Sequence, residues 1–260
     1  MTAPLAAIRN LSLRYGDNPP ALRDLSFDIL TGERLAIIGE SGSGKSSFAR
    51  ALAGLVPETA RLNGEIQWPG LGHAPLPGRD LGMVLQDPST SLDPVLTIGE
   101  QVAEGARAHL RLSRGKALAL AENLLTRVRL PEPHRLMQAY PHQLSGGQRQ
   151  RVAIAATLAS RPRILIADEI TSALDMVTQA EIVALLADLA RDGAMTLVFI
   201  THDIALASGL CQRVAVFHEG RLVEIGPMRD VLARPGDSYT ATLIADHISL
   251  TGPRLIGERR

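Results

Sequence analysis

Two hydrophobic periodicities alternate along the chain. Residues 8–15 and 22–30 carry apolar side chains at about every second position, the spacing of strands with one buried face, and they predict an antiparallel β layer near the N-terminus. Other segments are apolar throughout: Leu35-Ala36-Ile37-Ile38, Ile164-Leu165-Ile166-Ala167 and Leu197-Val198-Phe199-Ile200. Short runs of this kind, bounded by polar residues, suit strands covered on both faces. Residues 46–55 read as a helix ending near Gly54, and 98–110 and 116–128 place alanine and leucine on one face and charges on the other, at helical spacing. A further helix is expected over about 148–158, and the glycine- and proline-rich stretch 63–77 reads as a strand and a loop. Strand and helix patterns alternate, so the expected fold is α/β, with a helical insert between about 92 and 144.

Polar residues gather where the apolar runs stop. After Ile38 comes Gly39-Glu40-Ser41-Gly42-Ser43-Gly44-Lys45-Ser46-Ser47, which fits the phosphate-binding pattern G-x-x-x-x-G-K-[ST] in its required place between a strand and a helix. Glycines let the backbone curl until its N–H groups face phosphate oxygens, and the positive end of the following helix adds to the attraction. In such a loop Lys45 would reach the β- and γ-phosphates and the Ser46 hydroxyl would sit on Mg²⁺. The run ending at Ala167 is followed by Asp168-Glu169, two carboxylates that do not belong in a core. Alone they would be an ordinary strand end facing water. Beside a phosphate loop, Asp168 reads as the acid that orients Mg²⁺, and Glu169 as the general base that polarises the attacking water.

Far downstream of that loop stands Leu144-Ser145-Gly146-Gly147-Gln148. The two motifs together resemble the ATP-binding subunit of an ABC transporter. That resemblance implies a P-loop NTPase core with a RecA-like sheet and flanking helices, an N-terminal antiparallel β layer and an inserted α-helical subdomain. It also implies that 144–148 of one subunit close over ATP held by the loop of another, so that function needs two copies. Ser172-Ala173-Leu174-Asp175 resembles the loop between the two ATP sites of the pair. His202, after the run ending at Ile200, matches the histidine that contacts the γ-phosphate, although a lone histidine there is otherwise just a polar loop residue. Gln86, in Met83-Val84-Leu85-Gln86-Asp87-Pro88, resembles the glutamine that touches Mg²⁺ and the water. Tyr15 stands where the family stacks an aromatic ring on adenine, and the same position suits a strand-edge tyrosine packed on its sheet. One departure is Ile170, where the family most often has proline; the change should affect loop stiffness more than chemistry.

The resemblance makes 1–260 one domain, with 1–91 and 152–225 as nucleotide-binding core and β layer, 92–151 as the helical signature subdomain and 226–260 as a tail. The segment 87–101 and the tail run Asp237-Ser238-Tyr239-Thr240-Ala241-Thr242-Leu243-Ile244 are similar to ATPases of peptide and nickel importers, of the nickel or dipeptide type. Implied partners are a second, non-identical ATPase subunit, two membrane permeases and a periplasmic solute-binding protein. The implied place is the cytoplasmic face of the bacterial inner membrane, and the alternative is a soluble ATPase of the same family uncoupled from transport. Composition adds exclusions. Lysine plus arginine (27) equal aspartate plus glutamate (27), which gives no case for a nucleic-acid partner. The single cysteine, Cys211, allows no disulfide framework or metal-ligand spacing and reads as a small buried helix residue. No apolar run approaches the ~18 residues of a membrane span, and 1–6 lack the pattern of a secretory signal, so a cytosolic chain is expected.

Overall fold

The computed structural model describes residues 4–87, 91–172, 174–191 and 195–251. Strands β1 (Pro4–Tyr15), β2 (Leu22–Leu30) and β4 (Ala60–Gln67) form an antiparallel sheet in the order β2-β1-β4. Ile8 lies opposite Phe27 on one side and Ile66 on the other. The alternation of β1 breaks at Asn10, whose φ of 50° marks a bulge where both pairings shift register.

The larger sheet has the order β5-β6-β7-β3-β8-β9. It comprises β3 (Arg34–Ile38), β5 (Leu81–Val84), β6 (Ile164–Asp168), β7 (Thr196–Ile200), β8 (Arg213–His218) and β9 (Arg221–Pro227). All pairings are parallel except β8 with β9. Strands β6 and β7 are buried at every position, which is why their sequences show no alternation. One face packs against the β layer and α1 (Lys45–Ala53) through Phe27, Phe48 and Phe217, whose ring centroids lie 5.4–6.3 Å apart. Helix α1 ends at Gly54, in the left-handed conformation as expected for a helix stop.

The other face meets helices. From the expected insert come α2 (Ile98–Leu110), α3 (Arg114–Arg127), the short α4 (Pro133–Leu136) and α5 (Gly146–Leu158). Helix α5 packs on α2 and α3 and also on β5, so it crosses the expected boundary at 151/152 instead of stopping there. Arg151 fixes this crossing: buried on α5, it donates to the Val128 carbonyl and to Glu181 of α6 (Met176–Ala190). Buried Gln101 pins the turn before α2, accepting from Asp93 N and donating to the carbonyls of Asp93 and Leu96. Helices α7 (Ile204–Leu210), α8 (Met228–Ala233) and α9 (Ser238–Thr251) follow among the described residues, and β9 runs past the expected tail boundary at 225/226. Cys211 is buried as expected, but it stands just beyond α7 in extended backbone, not within a helix; burial pushes its thiol up to about 12. No helix among the described residues is long and apolar enough to cross a membrane.

Candidate nucleotide site

Strand order assembles the site. The segments after β5, β6, β7 and β3 carry Gln86, Glu169, His202 and the loop 39–46, and these four strands are neighbours with their C-terminal ends on one rim. That rim is where parallel α/β sheets bind ligands. A cleft of about 240 Å³ opens there, lined by Ser41, Gly42, Gly44, Lys45, Ser46, Ser47, Gln86 and Glu169.

The loop curls through backbone that side chains would block. Gly39 has φ 150°, and a Cβ there would stand 2.2 Å from the Phe217 carbonyl oxygen and 2.8 Å from Ser43 Oγ. Gly44 has φ 103°, and its Cβ would meet the Ala21 carbonyl at 2.6 Å. Gly39→Ala is therefore expected to cost about 1–3 kcal/mol of stability and to weaken nucleotide binding, read by thermal unfolding and by equilibrium titration with an ATP analogue. Ser43 is buried with its hydroxyl unpartnered, and Glu40 and Ser41 are exposed.

Lys45 is only 4% exposed. Its Nζ donates to the carbonyls of Gly39 and Glu40, both at 2.8 Å, and lies 3.8 Å from Glu169 Oε1. Burial lowers its pKa, opposed by the charges of Glu169, Asp168 and Glu40. Ser46 Oγ donates to Asp168 Oδ1 at 3.0 Å. Asp168 is 6% exposed; burial raises its pKa, the Ser46 hydrogen bond opposes this, and the Glu169 charge adds to it. A desolvated carboxylate with a hydroxyl and the Gln86 amide nearby is an oxygen-rich donor set that fits Mg²⁺. With few protein oxygens at hand, Mg²⁺ here would take its remaining ligands from phosphate and water, its usual habit.

Glu169 adopts φ 50°, sparsely populated for a residue with a side chain. Its N–H donates to Ile200 O at 3.0 Å, and its carbonyl accepts from the amide and hydroxyl of Ser172. These bonds hold the carboxylate between Lys45 and His202, whose Nδ1 lies 3.9 Å from Oε2. Ile170 is 1% exposed in the helical-side core, so the side chain in the proline's place serves packing.

Other expected site residues lie elsewhere. Tyr15 is half-buried against the β-layer core, its hydroxyl enclosed without a hydrogen-bond partner, and it does not line the cleft. Leu144 is buried, and Ser145 caps α5: its hydroxyl accepts from Gln148 N at 3.2 Å while its own N–H donates to Gln148 Oε1 at 2.9 Å. None of 144–148 lines the cleft of its own chain; Gly147 lies against Thr178, where a Cβ would meet Cγ2 at 2.8 Å. Asp175 caps α6, accepting from the amides of Val177 and Thr178 and from the Thr178 hydroxyl, bonds that lower its pKa. Ala173, expected in the same loop, lies outside the described residues, as do Pro88, Ser89 and Thr90. Sequence reasoning missed Tyr239, whose hydroxyl accepts from Glu40 N in the phosphate loop at 3.2 Å. The tail motif had flagged this residue only as a mark of subfamily.

Fold and cleft together define a P-loop nucleotide-binding domain. Residues 22–172 match the model of the ABC transporter family. The chain is 42% identical over 232 residues to the oligopeptide transport ATP-binding protein OppD of Salmonella typhimurium, covering 86% of this chain and 69% of that one. It is 41% identical over 257 residues to the peptidoglycan transport ATP-binding protein YejF of Agrobacterium fabrum, covering 94% of this chain and 47% of that protein. The chain thus spans about half the length of some relatives it matches. The dimeric ATP-binding cassette MJ0796, solved in a post-hydrolysis state with ADP and Pi, is similar with a TM-score of 0.75 and 31% identity, over 86% of this chain and 99% of that one. The chain belongs to the ABC transporter family.

Proposed function

We propose that this chain is the ATP-hydrolysing subunit of an ABC importer, one half of an ATPase pair driving uptake of a small solute, such as a peptide or nickel, through separate membrane permeases. The observation that carries the reading is the convergence of Lys45, Ser46, Gln86, Asp168, Glu169 and His202 on one rim of the sheet. Loop amides and the N-terminus of α1 attract phosphate, and Lys45, oriented by the Gly39 and Glu40 carbonyls, adds its positive charge to the same place. Ser46, Asp168 and Gln86 would hold Mg²⁺, which when bound supplies positive charge beside the transferred phosphoryl group. The Glu169 carboxylate takes a proton from water, with His202 positioning that water from the other side.

Ser145 to Gln148 sit away from the cleft of their own chain, which suits a motif that acts on a partner's ATP. The partner would be a second, non-identical ATPase subunit, with two permeases and a periplasmic solute-binding protein completing the importer at the cytoplasmic face of the inner membrane. In this reading 1–91 and 152–225 form the core, 92–151 the signature subdomain and 226–260 the tail, with α5 and β9 running across two of these borders. A groove of about 450 Å³ between β5, α2 and α5, lined in part by Ser91, Leu92, Gln101 and Glu104, borders the segment after Gln86 and suits a permease contact. Charged, bulky replacements at Ser89, Thr90 and Asp93 should spare ATP binding by the isolated subunit, reduce co-purification with the permease and abolish solute uptake. Normal uptake in cells carrying all three would favour the uncoupled ATPase instead.

A further inference from the structure

The C-terminal helix reaches back to the phosphate loop by a route built in several steps. On β9, Glu224 accepts from the amides of Gly236 at 2.9 Å and Asp237 at 3.2 Å. Asp237 Oδ1 in turn accepts from Tyr239 N at 2.8 Å, starting α9, and Thr240 and Ile244 bury its inner face. The Tyr239 ring lies against His218 at the end of β8, with centroids 3.8 Å apart. Its hydroxyl accepts from Glu40 N at 3.2 Å. Burial raises the phenol's pKa, with the Glu40 amide bond opposing.

That contact falls on a peptide already held from its other side. The carbonyl of the Gly39–Glu40 peptide accepts from Lys45 Nζ at 2.8 Å, and the loop passes so close to the Phe217 carbonyl that a Cβ at Gly39 would stand 2.2 Å from its oxygen. One peptide plane is thus gripped through its N–H by the tail and through its C=O by the phosphate-seeking lysine. A loop held in its binding conformation loses less entropy when it binds.

We propose that Tyr239 is a positioning residue for nucleotide binding: its hydroxyl orients the Gly39–Glu40 peptide, and through it Lys45, so that the docked C-terminal helix sets the affinity of the loop for nucleoside di- and triphosphates. This rests on the reading of 39–46 as the ATP phosphate cradle. Because the tether acts on the loop and not on the γ-phosphate, ATP and ADP should feel it equally.

Tyr239→Phe removes the oxygen and keeps the ring on His218. It should weaken binding of fluorescent ATP and ADP analogues to the full chain about 2- to 10-fold, the range expected for one hydrogen bond. Amide hydrogen exchange across 39–44 should quicken, and the thermal midpoint should hold within about 2 °C. Tyr239→Ala should weaken binding at least as much. Wild-type affinity in Tyr239→Phe, with or without a lower midpoint, overturns the proposal and leaves Tyr239 a packing residue. Lys45→Ala, measured alongside, separates the two readings: if it binds ATP as the wild type does, the cradle assignment itself fails.

Discussion

Glu169→Gln should lower ATP hydrolysis by about 10²–10⁴-fold while leaving ATP binding intact. Glutamine has the same shape, and the backbone bonds to Ile200 and Ser172 that hold this residue at positive φ do not depend on its side chain. What disappears is the charge between Lys45 and His202 and the ability to accept a proton. The Glu169 charge also works against ionisation of neighbouring Asp168, so the variant should keep that acid at least as ready to face a cation. With hydrolysis blocked, Mg-ATP should hold the ATPase pair closed. Phosphate release at saturating ATP gives the rate, and size-exclusion chromatography with the partner subunit should show a dimer that ADP does not support. Hydrolysis at the wild-type rate would remove Glu169 from its role.

Ser145→Arg should abolish hydrolysis by the pair while the isolated subunit still binds ATP. An arginine here would push bulk and charge toward the partner's nucleotide, the position that the two-subunit reading gives to 144–148. The variant also loses the hydroxyl that accepts from Gln148 N at the start of α5, a cap worth about 1 kcal/mol, so some stability should fall with it. Ser145→Ala loses the same cap without the bulk and supplies the control. If the alanine variant, folded and ATP-binding, retains most activity and the arginine variant retains none, closure is the step affected. Loss of ATP binding by the isolated Ser145→Arg subunit would instead put the sandwich in doubt.

Much of this site is legible because its residues sit at element ends, where chain order and chemistry coincide. The runs ending at Ile38, Ala167 and Ile200 announce buried strands, and each is followed by a group that a core would reject. Their order in the sheet, which sets Glu169 beside Lys45, is not written in any one segment, since it depends on strands 163 positions apart pairing in register. Boundaries inside the helical region were less legible. Helix α5 begins at Gly146, two residues before its expected start, because the Ser145–Gln148 capping exchange offsets the poor helix propensity of two glycines. Tyr15 matches a motif position in the sequence, but the sequence does not show that its hydroxyl is enclosed at the end of β1. Tyr239 was hidden for the opposite reason: its partner is a backbone amide, which leaves no complementary residue type in the sequence.

The place of β5 gives the rim a graded stiffness. Lys45 follows β3, which is clasped by β7 and β8, and Glu169 follows β6, clasped by β5 and β7. Gln86 follows a four-residue strand at the sheet's edge that, among the described residues, pairs with one strand, β6, and makes only an isolated bridge from Leu81 to Pro77. The groups that must keep sub-ångström geometry hang from the most constrained strands, whereas the group joined to the helical layer hangs from the most compliant one. A load applied through α2 and α5 would therefore displace Gln86 first and leave Lys45 and Glu169 almost at rest, so the molecule can yield mechanically at one corner of its site without loosening the others.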